Sequence, residues 1–324
     1  MARYLASRIV QAALVVAIVA TVVFFLIHLA PGDPFAAAME NPRVSETIRQ
    51  QWRESYGLDK PLGEQYARYV AALVRGDLGW SFSLQRPVAS VLADALPNTL
   101  LLMAISLAAG FALGIAAAVT QVVRRGRPID RIVSAASLFF FAVPEFWLAL
   151  MMMLLLAYRF TLFPIGGMVD SVNHDNLGLT GRIADIGKHI VLPALTLTLL
   201  TAAVVARFQR AALLDTIPED YIRTARAKGL ATREIVRQHA LRNALLPVIT
   251  LAGLAFPALV TGAVFIEKVF SWPGMGLVIV NAIDTRDYPL LVAGVIAISA
   301  LVAVGSLTAD LLYAVADPRV RDAV

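Results

Sequence analysis

The sequence predicts an all-α integral membrane protein with six membrane-spanning helices. Hydrophobic residues make up 59% of the 324 residues and the mean hydropathy is +0.72, beyond the usual range of a soluble domain. The apolar residues form long runs, and basic residues gather at the edges of these runs. This distribution argues against nucleic-acid binding, although the net charge is +5. The chain has no cysteine, which excludes disulfides and thiolate metal sites.

The first apolar run, Ile9 to Ala30, is long enough to cross a hydrocarbon core of ~30 Å at ~1.5 Å per residue. Arg3 and Arg8 precede it as in a signal peptide. The run exceeds the usual apolar region of such a peptide and no small-residue cleavage site follows, so we expect a retained span. Five further spans are predicted at Pro97 to Val123, Ile132 to Ala157, Ile190 to Ala206, Ala244 to Ile266 and Tyr288 to Ala316.

Six spans place both chain ends on the same side of the membrane. The termini, the loop Arg124 to Arg131 and the central polar stretch with its flanks hold 16 of the 28 lysines and arginines, whereas the two short opposite loops hold 5. The long first loop holds the other 7 and is exempt from the positive-inside rule because of its length. Both termini and the central stretch are therefore expected in the cytoplasm.

The polar segment between the first two spans, residues 31–95, is predicted to form an extracytoplasmic insertion. It contains amphipathic pieces such as Ser45 to Tyr56 and Glu64 to Val74. The helical spacing of the apolar residues in the second piece favours a small helical subdomain over an unstructured loop.

The central polar stretch, TIPEDYIRTARAKGLATREIVRQHALRNALLP, begins at Thr216 and reads as helix, sharp turn, helix. Thr216 and Glu219 have the spacing of a capping box at the start of the first helix. Gly229 is suited to a left-handed turn. Thr232 is then expected to cap the second helix, with Glu234 near its positive end.

The first helix of this stretch has two distinct faces. One side carries Tyr221, Ile222, Ala225 and Gly229 at helical spacing. The remaining surface carries the cations Arg223, Arg226 and Lys228. A short helix with small residues on one face and cations beside them suits a groove on another protein.

This stretch resembles the cytoplasmic EAA loop of permease subunits of ABC importers, in particular the peptide/nickel branch. Thr224 and Ala225 stand at the two small positions, Gly229 at the glycine, and Leu246-Pro247 at the ending. Arg223 occupies the position of the glutamate in the name EAA. The sequence spacing from the glycine to Leu-Pro is also longer than in the general pattern. Both departures are similar to the peptide/nickel branch, whose members carry D-Y-I-R-T-A-R-A-K-G and L-R-N-A-L-L-P runs.

The resemblance implies that residues 213–243 form the cytoplasmic coupling loop, whose helix docks in a cleft of an ATPase subunit. The implied coupling residues are Glu219, Asp220, Tyr221, Ile222, Arg223, Thr224, Ala225, Arg226, Ala227, Lys228 and Gly229.

Further segments carry the same resemblance from Gly32 to Asp317, including L-D-K-P-L-G-E-Q-Y, G-D-L-G-W-S, E-x-V-F-x-W-P-G-x-G and R-D-Y-P. The implied fold is that of a type I ABC importer permease in the bacterial cytoplasmic membrane. The implied partners are a second homologous permease, two ATP-binding subunits and an extracytoplasmic solute-binding protein, all within membrane lipid. The chain carries no phosphate-binding loop, so it is expected to bind no cofactor and to leave ATP and Mg²⁺ to its partners.

The solute implied by this resemblance is a di- or oligopeptide. The same architecture importing nickel chelates, sugars or opines remains an alternative. A self-contained secondary transporter or channel is the alternative from a different class. The four histidines show no metal-ligand spacing.

Two further sets of residues are candidates for the translocation pathway. Glu145 is the acidic residue near the middle of a predicted span, and Pro144 before it invites a kink. Glu145 either lines the pathway or contacts the partner permease, or it is a buried carboxyl with a local role. The turn Trp272, Pro273 and Gly274 precedes a short predicted helix, Leu277 to Ile283, and is the candidate outer mouth of the pathway.

Overall fold

The computed structural model describes residues 2–29, 46–47, 50, 54, 57, 59–255 and 264–316. The helices of the first half are α1 Ala2–Leu29, α2 Leu62–Val74, α3 Val88–Val123, α4 Pro128–Ala142 and α5 Glu145–Met152, which continues as a π-helical turn, Met153–Arg159. The helices of the second half are α6 Leu179–Thr216, α7 Asp220–Ala227, α8 Thr232–Glu234, α9 Leu241–Ala244, α10 Leu246–Ala255, α11 Val264–Val269, α12 Met275–Asp284 and α13 Tyr288–Ala316. A π-helical turn, Ile235–Ala240, joins α8 to α9, and a 3₁₀ turn, His174–Asn176, precedes α6. Two short strands, β1 Trp80–Ser81 and β2 Arg86–Pro87, pair antiparallel as a hairpin.

Four helices in the described residues are long and apolar enough to cross a membrane: Ser7–Leu29 of α1, α3, α6 and Tyr288–Leu307 of α13. The bent pair α4 and α5 makes a fifth if it counts as one span. The predicted fifth span, Ala244 to Ile266, lies partly outside the described residues. The described chain therefore has four or five apolar spans where the sequence predicted six over its full length.

The third predicted span is present as two helical segments with a sharp bend between them. α4 and the segment Glu145–Arg159 meet at an angle of 110°. Pro144 adopts φ −62° and ψ 136° at this break, which is extended backbone. A proline also disfavours helical backbone in the residue before it, so Val143 ends α4. The sequence predicted a kink at this position but not its size.

Two spans start or end beyond their predicted bounds. α3 begins at Val88, inside the segment assigned to the insertion, because Val88, Val91 and Leu92 are buried against α12 and α13. Pro97 consequently lies inside the helix. α6 extends from Leu179 to Thr216 and carries polar turns at both of its ends.

The core of the molecule is the tight packing of α3 on α6. Gly110 and Gly114 of α3 have the small-xxx-small spacing that lets two helix backbones approach closely. A Cβ atom at Gly110 would lie 2.6 Å from the Cβ of Thr201, and one at Gly114 would lie 2.6 Å from the Cβ of Val205. The second contact lies four residues after the first in both helices, so α3 and α6 run parallel.

The parallel pair defines two ends of the molecule. We call the end with the β-hairpin and the starts of α3, α6 and α13 the hairpin end. We call the opposite end, with the loop Arg124 to Arg127 and helix α7, the basic end. The insertion helix predicted near Glu64 to Val74 is present as α2, at the hairpin end. The other predicted piece, Ser45 to Tyr56, lies largely outside the described residues.

Candidate coupling site and pathway residues

Helix α7 is anchored to the basic end by two apolar side chains. Ile222 is fully buried and Ala225 is 5% exposed. They join a cluster formed by the ends of α3 and α6 and the turn after α8, whose buried members are Ala118, Val122, Leu213, Ile235, Val236, Ala240 and Ala244. The helix is thus a fixed part of this chain instead of a free segment.

The exposed surface of α7 differs from the one that the sequence predicted. Ile222 and Ala225 were expected to face another protein, but they face this chain because the apolar cluster beneath the helix covers them. The residues available to a partner are Tyr221, Arg223, Thr224, Arg226, Ala227 and Lys228. Glu219, Asp220 and Gly229 are also exposed. The available face of the helix is therefore basic, with one aromatic ring.

Both predicted helix caps were wrong in position. Thr216 lies in the last turn of α6, where its hydroxyl group donates to the carbonyl of Ala212 at 2.8 Å. Glu219 itself precedes α7, and its backbone carbonyl accepts the first hydrogen bonds of that helix. Ala231 precedes α8 in place of Thr232, and its N–H donates to the carboxylate of Glu234 at 3.4 Å. α6 extends to Thr216, beyond its predicted end at Ala206, so α7 begins only at Asp220.

Gly229 ends α7 in the left-handed conformation, as the sequence predicted, with φ +82°. Its N–H donates to the carbonyl of Arg226 at 3.0 Å, and the N–H of Leu230 donates to the carbonyl of Ala225 at 3.4 Å. These two bonds are those of a Schellman turn. No atom lies within 4 Å of the position that a Cβ would take, so the backbone angle alone requires glycine here.

The segment after α7 returns directly to the membrane-spanning helices. The π-helical turn Ile235–Ala240 buries Ile235 and Val236 beneath α7. The side-chain amide of Asn243 donates to the phenol oxygen of Tyr221 at 2.8 Å. Motion of α7 is therefore coupled by contact to α9 and, through the same cluster, to the ends of α3 and α6.

A second polar network lies beside this cluster at the basic end. The carboxylate of Asp130 accepts a hydrogen bond from the N–H of Gly126 at 2.9 Å and forms an ion pair with Arg210 at 3.3 Å. Arg210 also donates to the hydroxyl group of Ser134 at 3.0 Å. This network ties the loop between α3 and α4 to the last turns of α6.

Glu145 is the first residue of α5, directly after the 110° bend. Leu148 and Ala149, one turn farther along the same side of the helix, are buried. The Oε1 atom of Glu145 is buried and has no hydrogen-bond partner among the described residues. The carboxyl group therefore faces protein at the break in the third span.

The turn Trp272, Pro273 and Gly274 is tied to the first turns of the second span. Trp272 is fully buried, and its indole N–H donates to the carbonyl of Asn98 at 2.9 Å. The side-chain amide of Asn98 donates in return to the carbonyl of Pro273 at 2.9 Å. A Cβ at Gly274 would overlap Thr99 and Glu267, so close approach requires glycine there.

Glu267 organises this turn, and sequence reasoning did not single it out. Its side chain is fully buried. The carboxylate accepts hydrogen bonds from the hydroxyl group of Thr99 at 2.8 Å and from the N–H of Leu277 at 3.1 Å. It therefore lies at the positive end of α12, where a negative charge is stabilised. Its position as the first residue of the E-x-V-F-x-W-P-G-x-G motif was the sequence feature that could have identified it.

Asp287 is a second buried carboxylate that sequence reasoning did not assign. It accepts hydrogen bonds from the hydroxyl groups of Ser81 at 2.6 Å and Ser83 at 2.7 Å, and from the N–H of Ser83 at 2.8 Å. Its other oxygen accepts from the N–H of Leu290 at 3.3 Å, which caps α13. The G-D-L-G-W-S and R-D-Y-P segments thus meet in space.

No group of three or more histidine, aspartate or glutamate side chains that could hold a metal ion occurs in the part of the chain that the structure describes. The polar groups at the two ends act on the protein itself, as hydrogen-bond partners of turns and helix starts. The described features are those of an integral membrane protein, in which apolar helices are packed together and a short basic helix is presented at one end.

Comparisons with known proteins assign this membrane protein to a family of transport components. Residues 110–322 match the family described as binding-protein-dependent transport system inner membrane component, and residues 1–103 match its N-terminal component. The chain therefore belongs to this family.

Relatives resemble the chain over nearly its whole length. The oligopeptide transport system permease protein AppB of Bacillus subtilis is 37% identical over 322 residues, which cover 99% of this chain and 100% of the relative. The dipeptide transport system permease protein DppB of Escherichia coli is 35% identical over 313 residues, which cover 92% of each chain.

An inward-facing structure of the MetNI methionine ABC transporter has a similar fold. The TM-score is 0.51 and the sequence identity is 24%, with 69% of this chain and 95% of that chain covered. At this identity the likeness concerns the fold alone. It supports the type I ABC permease architecture for the packed helices.

Proposed function

We propose that this chain is the transmembrane permease subunit of an ATP-driven ABC importer for di- or oligopeptides. The names of the full-length relatives, which are permeases of oligopeptide and dipeptide systems, support this class of solute. A second homologous permease, two ATP-binding subunits and an extracytoplasmic solute-binding protein complete the system. The ATP-binding subunits bind ATP and Mg²⁺ and carry out the hydrolysis.

The chain crosses the bacterial cytoplasmic membrane six times, with both termini in the cytoplasm. The fifth span in chain order, predicted at Ala244 to Ile266, includes the described helix α10. The excess of lysine and arginine at the basic end supports a cytoplasmic position for that end. The hairpin end then faces outward and carries the insertion of residues 31–95.

The loop of residues 213–243 couples transport to ATP hydrolysis. The single observation that carries this proposal is the geometry of α7, which is anchored through Ile222 and Ala225 and exposes Tyr221, Arg223 and Arg226. A helix held firmly on one side and open on the other can transmit movement of a partner into α3 and α6. Closure of the ATPase dimer then moves packed helices as rigid bodies and reopens the permease pair toward the outside.

Two sets of side chains shape the pathway in this proposal. Glu145 lines the pathway or contacts the partner permease at the bend in the third span, since its buried Oε1 has no partner among the described residues. Trp272, Pro273 and Gly274 form part of the outer mouth. Glu267 and Thr99 hold that turn against α3.

Purification of the tagged chain from its native membrane in mild detergent tests this proposal. We expect the ATP-binding subunits and a second permease to co-elute and the eluate to hydrolyse ATP. The double variant Tyr221→Ala with Arg226→Ala should lose the ATP-binding subunits and retain the second permease. Arg125→Ala, an exposed cation at the same end, is the matched control and should retain both.

The outcome that contradicts the proposal is a chain that elutes alone and transports solute in liposomes without ATP. Such a chain would be a secondary transporter or channel. Identification of the solute on the cognate binding protein separates a peptide importer from one for nickel chelates, sugars or opines.

A further inference from the structure

Helix α1 lies at the periphery of the part of the chain that the structure describes. Only 11% of its most apolar 18-residue window is buried, compared with 61% for α6. α1 packs along α13, and large apolar side chains such as Val10, Leu14 and Leu26 remain exposed. The seam between α1 and α13 therefore lies at the apolar outer surface of this chain.

A cavity of about 470 Å³ lies in this seam at the hairpin end. Its apolar wall is formed by Phe24 and Ile27 of α1, Leu73 of α2, and Val292 and Ala293 of α13. Cavities of about 300–1,000 Å³ with mostly apolar walls and a few polar groups are typical of ligand sites.

Hydrogen bonds and ring contacts fix the wall that α2 contributes. The phenol group of Tyr66 lies 2.8 Å from the hydroxyl group of Thr21, and that of Tyr69 donates to the carbonyl of Ala20 at 3.2 Å. The ring of Tyr69 also stacks on that of Phe24, with a centroid distance of 5.1 Å. α2 is thereby held against the apolar part of α1, so the cavity is formed before any ligand arrives.

The polar groups of the cavity include His28, Gln65, Arg68 and Asp77. Arg68 donates to the carboxylate of Glu64 at 2.7 Å and to the carbonyl of Glu54 at 3.1 Å. A guanidinium group carries five N–H donors, so Arg68 retains donors for an anionic oxygen. The cavity thus combines an apolar wall with a cation held in place by an acidic neighbour.

A second cavity of about 310 Å³ lies in the same seam toward the other end of α1. It is lined by apolar residues of both helices, such as Val15 and Val302, and by one cation, Arg8. Ala12 of this cavity and Ile27 of the first are 15 residues apart, which is roughly 22 Å along a helix. This separation is large enough to place one cavity in each leaflet of a hydrocarbon core of ~30 Å.

We propose that the cavity at the hairpin end binds one phospholipid of that leaflet. An acyl chain lies against Phe24, Ile27 and Val292, and the phosphate group accepts hydrogen bonds from Arg68. The peripheral position of α1 favours a lipid over the transported solute, because the seam opens to the membrane. A cation beside an apolar cleft at the membrane surface suits a lipid phosphate. The cavity around Arg8 repeats the arrangement in the opposite leaflet.

Photolabelling of the complete transporter tests this inference. The probe is phosphatidylglycerol with a diazirine in one acyl chain, in vesicles of phosphatidylethanolamine and phosphatidylglycerol. We expect the label on Phe24, Ile27 or Val292, and at least a fivefold loss of this label in Ala72→Trp, which fills the cavity. Ala71→Trp, one residue away on the exposed side of α2, should keep the label.

The charge of Arg68 is tested separately in case Ala72→Trp disturbs α2. Arg68→Gln should reduce the label at these sites at least threefold, whereas Arg75→Gln, an exposed arginine outside the cavity, should not. The inference is overturned if the label spreads evenly along α1, or if Ala72→Trp and Arg68→Gln are labelled as strongly as the parent. It is also overturned if a peptide solute displaces the probe and unlabelled phospholipid does not. These results do not depend on ATP-driven uptake, so they are distinct from a failure of the proposed transport function.

Discussion

The carboxylate of Asp287 and the hydroxyl group of Ser81 form a hydrogen bond of 2.6 Å across 206 residues of sequence. Asp287 is 1% exposed and Ser81 is fully buried. Both serines of the hairpin, Ser81 and Ser83, donate to the same carboxylate oxygen, while the other oxygen caps α13. One side chain thus joins the insertion to the last membrane-spanning helix.

We expect Asp287→Ala to destabilise the protein by about 1–3 kcal/mol or more, because it leaves buried donors without an acceptor. The measurement is the midpoint of thermal unfolding of the purified chain in detergent. Asp284→Ala is the control, since Asp284 is an exposed carboxylate that pairs with Lys268 at 3.0 Å. An equal shift of the unfolding midpoint for both variants would show that the buried hydrogen bonds of Asp287 stabilise the protein no more than an exposed ion pair does.

One glycine of α3 and one of α6 predict opposite effects for the same substitution. Gly114→Ala places a Cβ 2.6 Å from that of Val205, and we expect overpacking to cost roughly 1–3 kcal/mol. Gly187→Ala in α6 meets no atom within 4 Å, and we expect it to stabilise its helix by roughly 0.5–1 kcal/mol. Thermal unfolding of both variants in detergent measures the difference. A Gly114→Ala protein as stable as the parent would refute the close packing of α3 on α6.

Some of this architecture follows from local sequence and some does not. Gly229 and Pro144 act through their own backbone angles, so the left-handed turn and the kink could be predicted from one residue each. The face of α7 could not, because the apolar cluster that covers Ile222 is assembled from α3, α6 and the turn after α8. Glu267 and Asp287 have partners more than 160 residues away, and the spacing within a motif does not identify such partners.

Gly229→Val tests the turn at the end of α7. Its φ of +82° suits glycine, and a β-branched residue is an outlier in this region, so the turn should open at a cost of about 1–2 kcal/mol. We expect normal insertion but loss of ATP-dependent uptake. Gly126→Val is the control, because Gly126 has φ +80° and open space around it in a loop outside the coupling segment. Normal uptake by Gly229→Val would disprove the role of the turn.

Anchoring and partner contact can be separated on α7 by two neighbouring residues. Ile222→Ala removes a fully buried side chain and should cost about 2–5 kcal/mol of stability. Tyr221→Ala alters a side chain that is 40% exposed and removes the hydrogen bond from Asn243, so it should lower the unfolding midpoint much less than Ile222→Ala and still weaken binding of the ATP-binding subunits. Thermal unfolding and co-purification are measured on each variant. Tyr221→Ala with full ATPase binding would remove the aromatic ring from the proposed contact surface.

Glu145→Gln tests the carboxylate at the bend of the third span. The amide keeps the size and shape of the side chain and cannot ionise, so α5 should remain intact. If Glu145 lines the pathway, its charge can bind the ammonium group of a peptide, and a hydrogen bond to a charged group contributes about 1.5–3 kcal/mol. We therefore expect uptake of peptides with a free amino terminus to fall about tenfold, since each 1.4 kcal/mol corresponds to roughly a factor of ten. Uptake of N-acetylated peptides should change less.

The control for this variant is Asp94→Asn, an exposed carboxylate at the hairpin end that pairs with Arg86 at 2.9 Å. It should leave both uptake rates as they are in the parent. Equal rates for Glu145→Gln and the parent, with an unchanged unfolding midpoint, would mean that the buried carboxyl group has only a local role at the bend. A lower midpoint with unchanged discrimination between free and acetylated peptides would place Glu145 in the packing of α5 instead of the pathway.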